Sequence, residues 1–387
     1  MRVVIGGGGT GGHISPAIAV ALELRRRGPV DLFWIGSHGG FERDAAREHD
    51  IPFFPVRTGK LRRYLARETL VDVFRVPAGI AEARQILKTI EPDVIFSTGG
   101  FVSTPSVIAA RTLGIPSLTH EQTASLGLAT RINARFANVV ALSFSGENNV
   151  RARKQARVVV TGNPVRPGLL NGNPETLSTL YDIPVDLPLV YVTGGAQGAH
   201  ALNTAIAESL PDILSHVAVI HQCGPQAGNG DYQRLISLRE SLDQQLQRRY
   251  LPVERVGDEL AHIYAAASLV IGRAGAGTIA ELARLGKASI LVPLPGASEQ
   301  HRNAMVLADA GSAIIVKQED LAAESLVSLV RELVQDSSRL SEMSNSALTA
   351  SPDDPVVKLA DEILQLAANR KPQLAVAAQT DVNRLSK

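Results

Sequence analysis

The chain has 387 residues, too many for one ordinary hydrophobic core, so two domains of roughly 150–200 residues are expected. Its 45% hydrophobic content is enough to bury such cores and excludes a disordered chain, while a net charge of +1 argues for no nucleic-acid partner. The single cysteine, Cys223, cannot close an internal disulfide, no apolar run reaches the about 18–20 residues of a membrane span, and the N-terminus enters a strand at once with no room for a signal peptide, so a cytoplasmic protein is expected.

Apolar runs and helical stretches alternate almost throughout, the pattern of a parallel α/β chain. In the first half the runs 3–5, 32–35, 94–96, 117–119 and 139–141 read as buried strands, with helices over 17–27 and 128–136. The turn-rich Gly162-Asn-Pro-Val-Arg-Pro-Gly168 reads as the linker. Beyond it the runs 189–192, 217–220, 269–271, 290–292 and 313–316 alternate with helices over 199–210, 278–285 and 303–310. The spacing predicts domains over 1–162 and 163–350. Asp353-Asp-Pro355 is a good helix start, and apolar Val356, Leu359, Ile363 and Leu366 predict a helix over 353–370 that packs back on the first domain. From Lys371 the pattern fades, and residues 371–387 read as a disordered tail.

Two matching devices stand out. Met1-Arg-Val-Val-Ile5 runs into Gly6-Gly-Gly-Gly-Thr-Gly-Gly-His13, and Leu189-Val-Tyr-Val-Thr193 runs into Gly194-Gly-Ala-Gln-Gly198. Each is a strand feeding a glycine turn and a helix, whose free N–H groups and dipole attract anions. Two such units suggest two Rossmann-like domains facing each other over a shared, phosphate-bearing ligand. Gly7-x-Gly9-x-x-Gly12 formally matches the dinucleotide fingerprint, but the second strand ends Trp34-Ile-Gly-Ser37 without the acid a ribose would need. Tight packing alone would explain some of the glycines; close approach of a ligand phosphate explains six in seven residues better.

His13 falls at the start of the following helix, placed to touch a phosphate or to act as a base. His120-Glu-Gln122 ends an apolar strand, where open α/β sheets place ligands; zinc is disfavoured because residue 124 is Ala, not a second histidine at helical spacing. Gly272-Arg-Ala-Gly-Ala-Gly-Thr-Ile-Ala-Glu281 carries Thr278-x-x-Glu281, which reads either as a capping box or as a carboxylate placed for two ribose hydroxyls. Pro293-Leu-Pro-Gly-Ala-Ser-Glu-Gln-His-Arg-Asn303 is either a solvated loop or a sugar-binding one through Glu299, Gln300 and Asn303. Residues 60–75 interleave basic and apolar side chains, as a solvated helix face or a helix dipping into an anionic leaflet would. There is no Asp-x-Asp pair, no clustered His/Cys and no P-loop, so no cofactor or metal cage is expected.

In order, Gly7–Pro16, Thr98-Gly-Gly-Phe-Val-Ser103, His120-Glu-Gln122, Gly162-Asn-Pro-Val-Arg166, Gly194–Asn203 and Arg273–Glu281 resemble the MurG family across roughly residues 1–370. The resemblance implies the GT-B architecture, two Rossmann-like doubly wound domains separated by a cleft. It also implies an inverting transfer of N-acetylglucosamine from UDP-N-acetylglucosamine to the C4 hydroxyl of the muramoyl sugar of lipid I, giving lipid II. The implied donor set is Thr10, Gly11, Gly12, Thr123, Arg166, Gly195, Ala196, Gln197, Arg273, Glu281, Glu299 and Gln300. Glu281 would take the ribose, Gly195 and Gln197 the phosphates, and Gln300 the sugar. Gly9, Thr10, Gly11, Gly12, His13, Gly99 and Gly100 would take the acceptor pyrophosphate, with His13 and then Glu121 as candidate bases. Domain closure about the Gly162–Gly168 hinge would align the substrates. Arg62, Arg63, Arg67, Phe74 and Arg75 would face the membrane. The implied partners are the two substrates, an anionic inner-leaflet surface and cell-wall and division proteins, at the cytoplasmic face of the cell membrane. Thr123 stands where the family usually has Asn, Ala196 where it has Ser, and Glu299 where His, Gln or Asp is commoner. One lost hydroxyl contact is worth about 1 kcal/mol, a several-fold change in affinity. The rival expectations are a related transferase with another sugar or acceptor, and a silent UDP-sugar-binding scaffold.

Overall fold

The computed structural model describes residues 1–59, 67–145, 150–184 and 186–385, with backbone alone for 67–75, 167, 229 and 371–385. The chain divides into two compact units, one formed by residues 1–165 with the C-terminal segment from Pro352, the other by Arg166–Ser351.

The first unit holds seven strands: β1 (Arg2–Gly6), β2 (Asp31–Ser37), β3 (Phe53–Val56), β4 (Val94–Ser97), β5 (Ser117–Glu121), β6 (Val139–Leu142) and β7 (Arg157–Val160). All pair in parallel, in the order β3-β2-β1-β4-β5-β6-β7. The central strands are apolar runs with no alternation because helices cover both faces. Val3, Ile5, Trp34, Val94, Phe96 and Leu118 fill one side, and Val4, Ile35, Ile95, Leu87 and Ala109 the other.

The helix Pro355–Leu385 belongs to this unit: Leu359, Ala360, Ile363 and Leu366 enter the core cluster of β1 and the helix Gly11–Arg27. Arg27 pairs with Asp361, and Arg157 with Glu362, along its polar face. The helical backbone runs on to Leu385, through the stretch beyond 370 where the sequence pattern fades.

The second unit holds β8 (Leu189–Thr193), β9 (Ala218–Gln222), β10 (Tyr250–Val253), β11 (Ala267–Gly272), β12 (Ser289–Leu291) and β13 (Ala313–Ile315), again all parallel, in the order β10-β9-β8-β11-β12-β13. Its core joins Val190, Val192, Leu269, Ile271 and Ile290 to Leu202, Ile206 and Leu210 of the helix His200–Leu214. Cys223 is buried, and burial pushes its thiol up to about 11, which makes it an inert packing residue. Among the described residues no helix is long and apolar enough to cross a membrane.

Both sheets reverse their winding once, between β1 and β4 and between β8 and β11. At such a switch point the loops leaving the carboxyl ends of the two neighbouring strands diverge and open a crevice, where ligands bind.

Candidate functional site

In the first unit, the turns after β1 and β4 flank the switch point. Gly8 (φ 149°) and Gly9 (φ 87°) take conformations that side chains resist, and they turn the chain into the helix Gly11–Arg27. This helix starts six residues earlier than its pattern predicts, because glycines that propensity assigns to a loop form its first turn. Thr10 is its N-cap residue, in extended conformation and without a side-chain cap bond. Gly11 and Gly12 are exposed, and a Cβ on Gly11 would meet nothing within 4 Å. Their N–H groups, at a helix start, have no intrahelical partner, so the turn presents donors and a positive dipole to open space.

Gly9 differs from the expectation. Its N–H donates to Glu42 Oε2 at 3.0 Å, inward, and supports the turn instead of facing a ligand. Glu42 is fully buried, and its other oxygen accepts from the Ser37 N–H at 2.8 Å and hydroxyl at 2.6 Å. Burial pushes this carboxyl up, but the bonds from Ser37 and Gly9 outweigh it and hold the group below its ordinary 4.5. Sequence reasoning missed Glu42. Between Phe41 and Arg43 it looks like any solvated acid, and only its place under the glycine turn reveals it.

His13 lies in the first turn of the helix, half-buried. Its Nδ1 lies 2.8 Å from the Thr98 carbonyl and 2.9 Å from Gln122 Oε1. Gly99 (φ 80°) and Gly100 (φ 70°) carry the turn after β4 across the imidazole. A Cβ on Gly100 would sit 2.7 Å from the Gly8 carbonyl and 3.3 Å from His13 Nε2, so only glycine fits there. The residues expected around an acceptor pyrophosphate, Thr10, Gly11, Gly12, His13, Gly99 and Gly100, are thus brought together.

Glu121 is not placed like His13. It is buried, Oε1 accepts from the Thr123 N–H and hydroxyl, and Oε2 accepts from the Gly127 N–H at 2.8 Å. Alternation along β5 sends it to the face opposite His120 and Gln122. Three donors of its own loop hold this carboxylate, so it clamps the loop and ranks behind His13 as a candidate base. Thr123, expected at the donor, turns its hydroxyl onto this carboxylate.

In the second unit, the turns after β8 and β11 flank the switch point. Gly195 (φ 80°) has open space where a Cβ would be, and its N–H is held by Thr193 Oγ1 at 3.1 Å. Ala196 and Gln197 are exposed just before the helix His200–Leu214. After β11, Gly275 caps the helix Ala276–Leu285. This start is two residues earlier than expected, which puts Glu281 in the second turn and rules out the capping box. The Glu281 carboxylate accepts from Tyr264 OH at 2.9 Å and faces the Arg166 guanidinium at 3.8 Å. Burial raises its carboxyl above 4.5, against the pull of Arg166 and Tyr264. Arg166 is about half exposed, so a further polar ligand can reach the pair.

Other expected contacts are turned inward. Arg273 is buried: Nη1 donates to the carbonyls of Val292 at 3.0 Å and Pro293 at 3.3 Å, and Nη2 to Gln318 Oε1 at 2.6 Å. It braces the turn after β12. Asn303 is fully buried and donates to the Ala274 carbonyl, so it is a loop support and not a sugar contact. Gln300 Oε1 accepts from the Leu294 N–H at 3.0 Å, closing the turn before the helix Ser298–Asp309, while Glu299 is exposed in its first turn. Arg62 and Arg63, and the side chains of Arg67, Phe74 and Arg75, lie outside the described residues. Among the described residues, no group of three or more His, Cys, Asp and Glu is close enough to hold a metal ion.

Residues 3–142 match the glycosyltransferase family 28 N-terminal domain, and residues 189–377 match the glycosyltransferase family 28 C-terminal domain. Over 376 residues the chain is 36% identical to the UDP-N-acetylglucosamine–N-acetylmuramyl-(pentapeptide) pyrophosphoryl-undecaprenol N-acetylglucosamine transferase of Treponema denticola, spanning 93% of this chain and 96% of that one. It is 34% identical over 365 residues to the protein of the same name from Lachnoclostridium phytofermentans, spanning 94% and 99%. The crystal structure of MurG from Acinetobacter baumannii is similar at a TM-score of 0.73 and 29% identity, over 94% of this chain and 99% of that one. The two parallel Rossmann-like units are those of the GT-B architecture, and with both halves matched over nearly their full length the chain belongs to glycosyltransferase family 28, as a member of its MurG family.

Proposed function

We propose that this chain transfers N-acetylglucosamine from UDP-N-acetylglucosamine to the C4 hydroxyl of the muramoyl sugar of lipid I, with inversion, to give lipid II. One observation carries the reading: His13 stands beside an open helix N-terminus at the switch point of the first sheet, so an anion site and a base share one turn. The first unit would hold the acceptor. Its pyrophosphate would meet the N–H groups of Gly11 and Gly12 and the hydroxyl of Thr10, while Gly99 and Gly100 pack closely on the imidazole of His13. The second unit would hold the donor. Glu281, already oriented by Tyr264 and Arg166, accepts from the ribose hydroxyls, and the turn Gly195–Gln197 takes the diphosphate at the helix His200–Leu214.

In the reaction the acceptor O4 attacks C1 of the sugar. The C1–O bond to the β-phosphate breaks, the O4 proton goes to His13 Nε2, and UDP departs with its new charge facing a helix N-terminus. Glu299 and Gln300 would reach the sugar hydroxyls, Gln300 through its amide N–H groups, since its oxygen closes its own turn.

The interleaved basic and apolar residues Arg62, Arg63, Arg67, Phe74 and Arg75 support a further reading. They would seat the enzyme on the anionic inner leaflet, where its lipid-linked acceptor lies, as a peripheral protein of cell-wall growth and division.

The test is transfer of labelled sugar to a short-chain lipid I analogue from UDP-N-acetylglucosamine, UDP-glucose and UDP-N-acetylgalactosamine, with and without EDTA. Product from UDP-N-acetylglucosamine alone is expected. Preference for another donor would move the assignment to a related transferase, and nucleotide binding without turnover to a silent scaffold.

A further inference from the structure

Behind His13 runs a buried chain of hydrogen bonds whose direction can be assigned from one end to the other. It begins at Ser143, fully buried after β6, whose hydroxyl donates to the Glu121 carbonyl at 2.6 Å. That leaves a lone pair facing His120 Nε2 at 3.2 Å, where the Gly162 carbonyl also lies at 3.0 Å. Both are acceptors, so His120 carries its proton on Nε2 and its Nδ1 is a lone pair. Gln122 Nε2 donates to that Nδ1 at 3.1 Å and to the Thr98 carbonyl at 2.7 Å. The amide is therefore fixed against a flip, since turning it over would set its oxygen against two acceptors. Its Oε1 in turn faces His13 Nδ1, which also meets the Thr98 carbonyl. His13 must carry its proton on Nδ1, and the Nε2 lone pair points to the glycine turn.

We propose that Gln122, ordered by His120, acts with the Thr98 carbonyl as a positioning residue that locks His13 in its Nδ1–H tautomer and leaves Nε2 as the proton acceptor. An imidazole in water favours the opposite, Nε2–H form, which would present a donor where the reaction needs a lone pair. When Nε2 takes the proton, the Nδ1–H shared by two oxygens becomes charge-assisted and stabilises the imidazolium. His120 is well suited to relay this order. It is fully buried, and burial lowers it to about 4, against the opposing pull of the Gly162 carbonyl, so it stays neutral through the working range. The far end is also held rigidly: Gly162 has φ 85°, and a Cβ there would lie 2.7 Å from Pro355. Around His13, the titratable side chains that the described contacts bring near are His120 on β5 and, beneath the glycine turn through Gly9, Glu42.

The positioning role rests on the transferase reading, but its first test does not. Long-range proton–nitrogen spectra of the full chain with 15N-labelled histidine, the His13 signals identified by their loss in His13→Gln, report tautomer and pKa without substrate. The expected result is the Nδ1–H form in the wild type. In Gln122→Met the His13 Nδ1–H signal should broaden or change shift as one of its two acceptors is lost, and the acid limb of kcat/KM should move, with KM for UDP-N-acetylglucosamine unchanged. An Nε2–H wild-type spectrum, or a Gln122→Met enzyme slowed with the His13 spectrum and the pH profile both unmoved, would overturn the proposal. A wild-type chain with no transfer would instead overturn the function, while the spectrum alone would still decide the tautomer.

Discussion

Glu42 offers the sharpest test of how the acceptor turn is built. In Glu42→Gln the side chain keeps its shape and one acceptor. That oxygen can still serve Ser37, but the new amide NH2 then faces the Gly9 N–H, donor against donor. A hydrogen bond to a charged group is worth about 1.5–3 kcal/mol, and a buried donor left unsatisfied costs about 1–3 kcal/mol. With Glu42 fully buried and one of three bonds lost outright, the expected destabilisation is about 2–4 kcal/mol at pH 7. The assay is urea unfolding of both proteins at several pH values. Because the folded carboxyl lies below its ordinary 4.5, its contribution is present above that pH and drains as the pH falls through the folded value. The gap between wild type and variant should therefore narrow in acid. Acceptor KM should rise as Gly9 and its turn loosen, with donor KM unmoved. A variant within about 0.5 kcal/mol of wild type at pH 7, or a gap that widens in acid, would refute the reasoning.

Other outcomes follow from the same geometry. His120 at about 4 and His221 at about 3, both lowered chiefly by burial from an ordinary 6.5, are neutral in the fold, so the unfolded chain binds their protons first. Their contribution is complete above pH 6.5 and lost as pH falls through about 4 for His120 and about 3 for His221, on the order of 3 and 5 kcal/mol respectively, read as a falling urea midpoint. Gly100→Ala places a methyl 2.7 Å from the Gly8 carbonyl at φ 70°, and steady-state kinetics should show kcat reduced at least about tenfold with donor KM unchanged. Glu281→Gln should raise donor KM by about ten- to a hundredfold, the worth of a charged hydrogen bond, and leave kcat at saturating donor nearly intact. Reversing Arg62 and Arg63 to Glu should cut binding to vesicles containing anionic lipid by at least about tenfold in a sedimentation assay.

The sequence made the strands of both sheet centres legible and hid three at the edges. β3 and β7 flank the first sheet and β10 the second; proline interrupts β3 and β10, whereas β7 is an apolar run like the central strands and is told apart only by its exposure. β3 and β10 contain Pro55 and Pro252, and β7 exposes Val158 and Val160. The glycine turns and His13 were legible because a phosphate-sized approach needs those residue types in that order. What holds them was not. Glu42, the Thr98 carbonyl and the Gln122 amide meet the first turn from 33 to 109 residues away, a coincidence in space with no periodicity to betray it. The same limit explains Arg273, Asn303 and Glu121. Their residue types suit a ligand, but only the fold shows that each is spent on its own loops.

The measurement that tests the central claim most directly is single-turnover transfer from UDP-N-acetylglucosamine to the lipid I analogue by wild type, His13→Gln and Glu121→Gln, with donor affinity measured in parallel. The account predicts lipid II from the wild type and donor affinity within about twofold in both variants. His13→Gln should be slowed about 10²–10⁴-fold at every pH, as loss of a general base requires. Glu121→Gln should be slowed less, and in step with its loss of stability. A His13→Gln enzyme near the wild-type rate, or a Glu121→Gln enzyme that folds normally yet is the slower of the two, would contradict it.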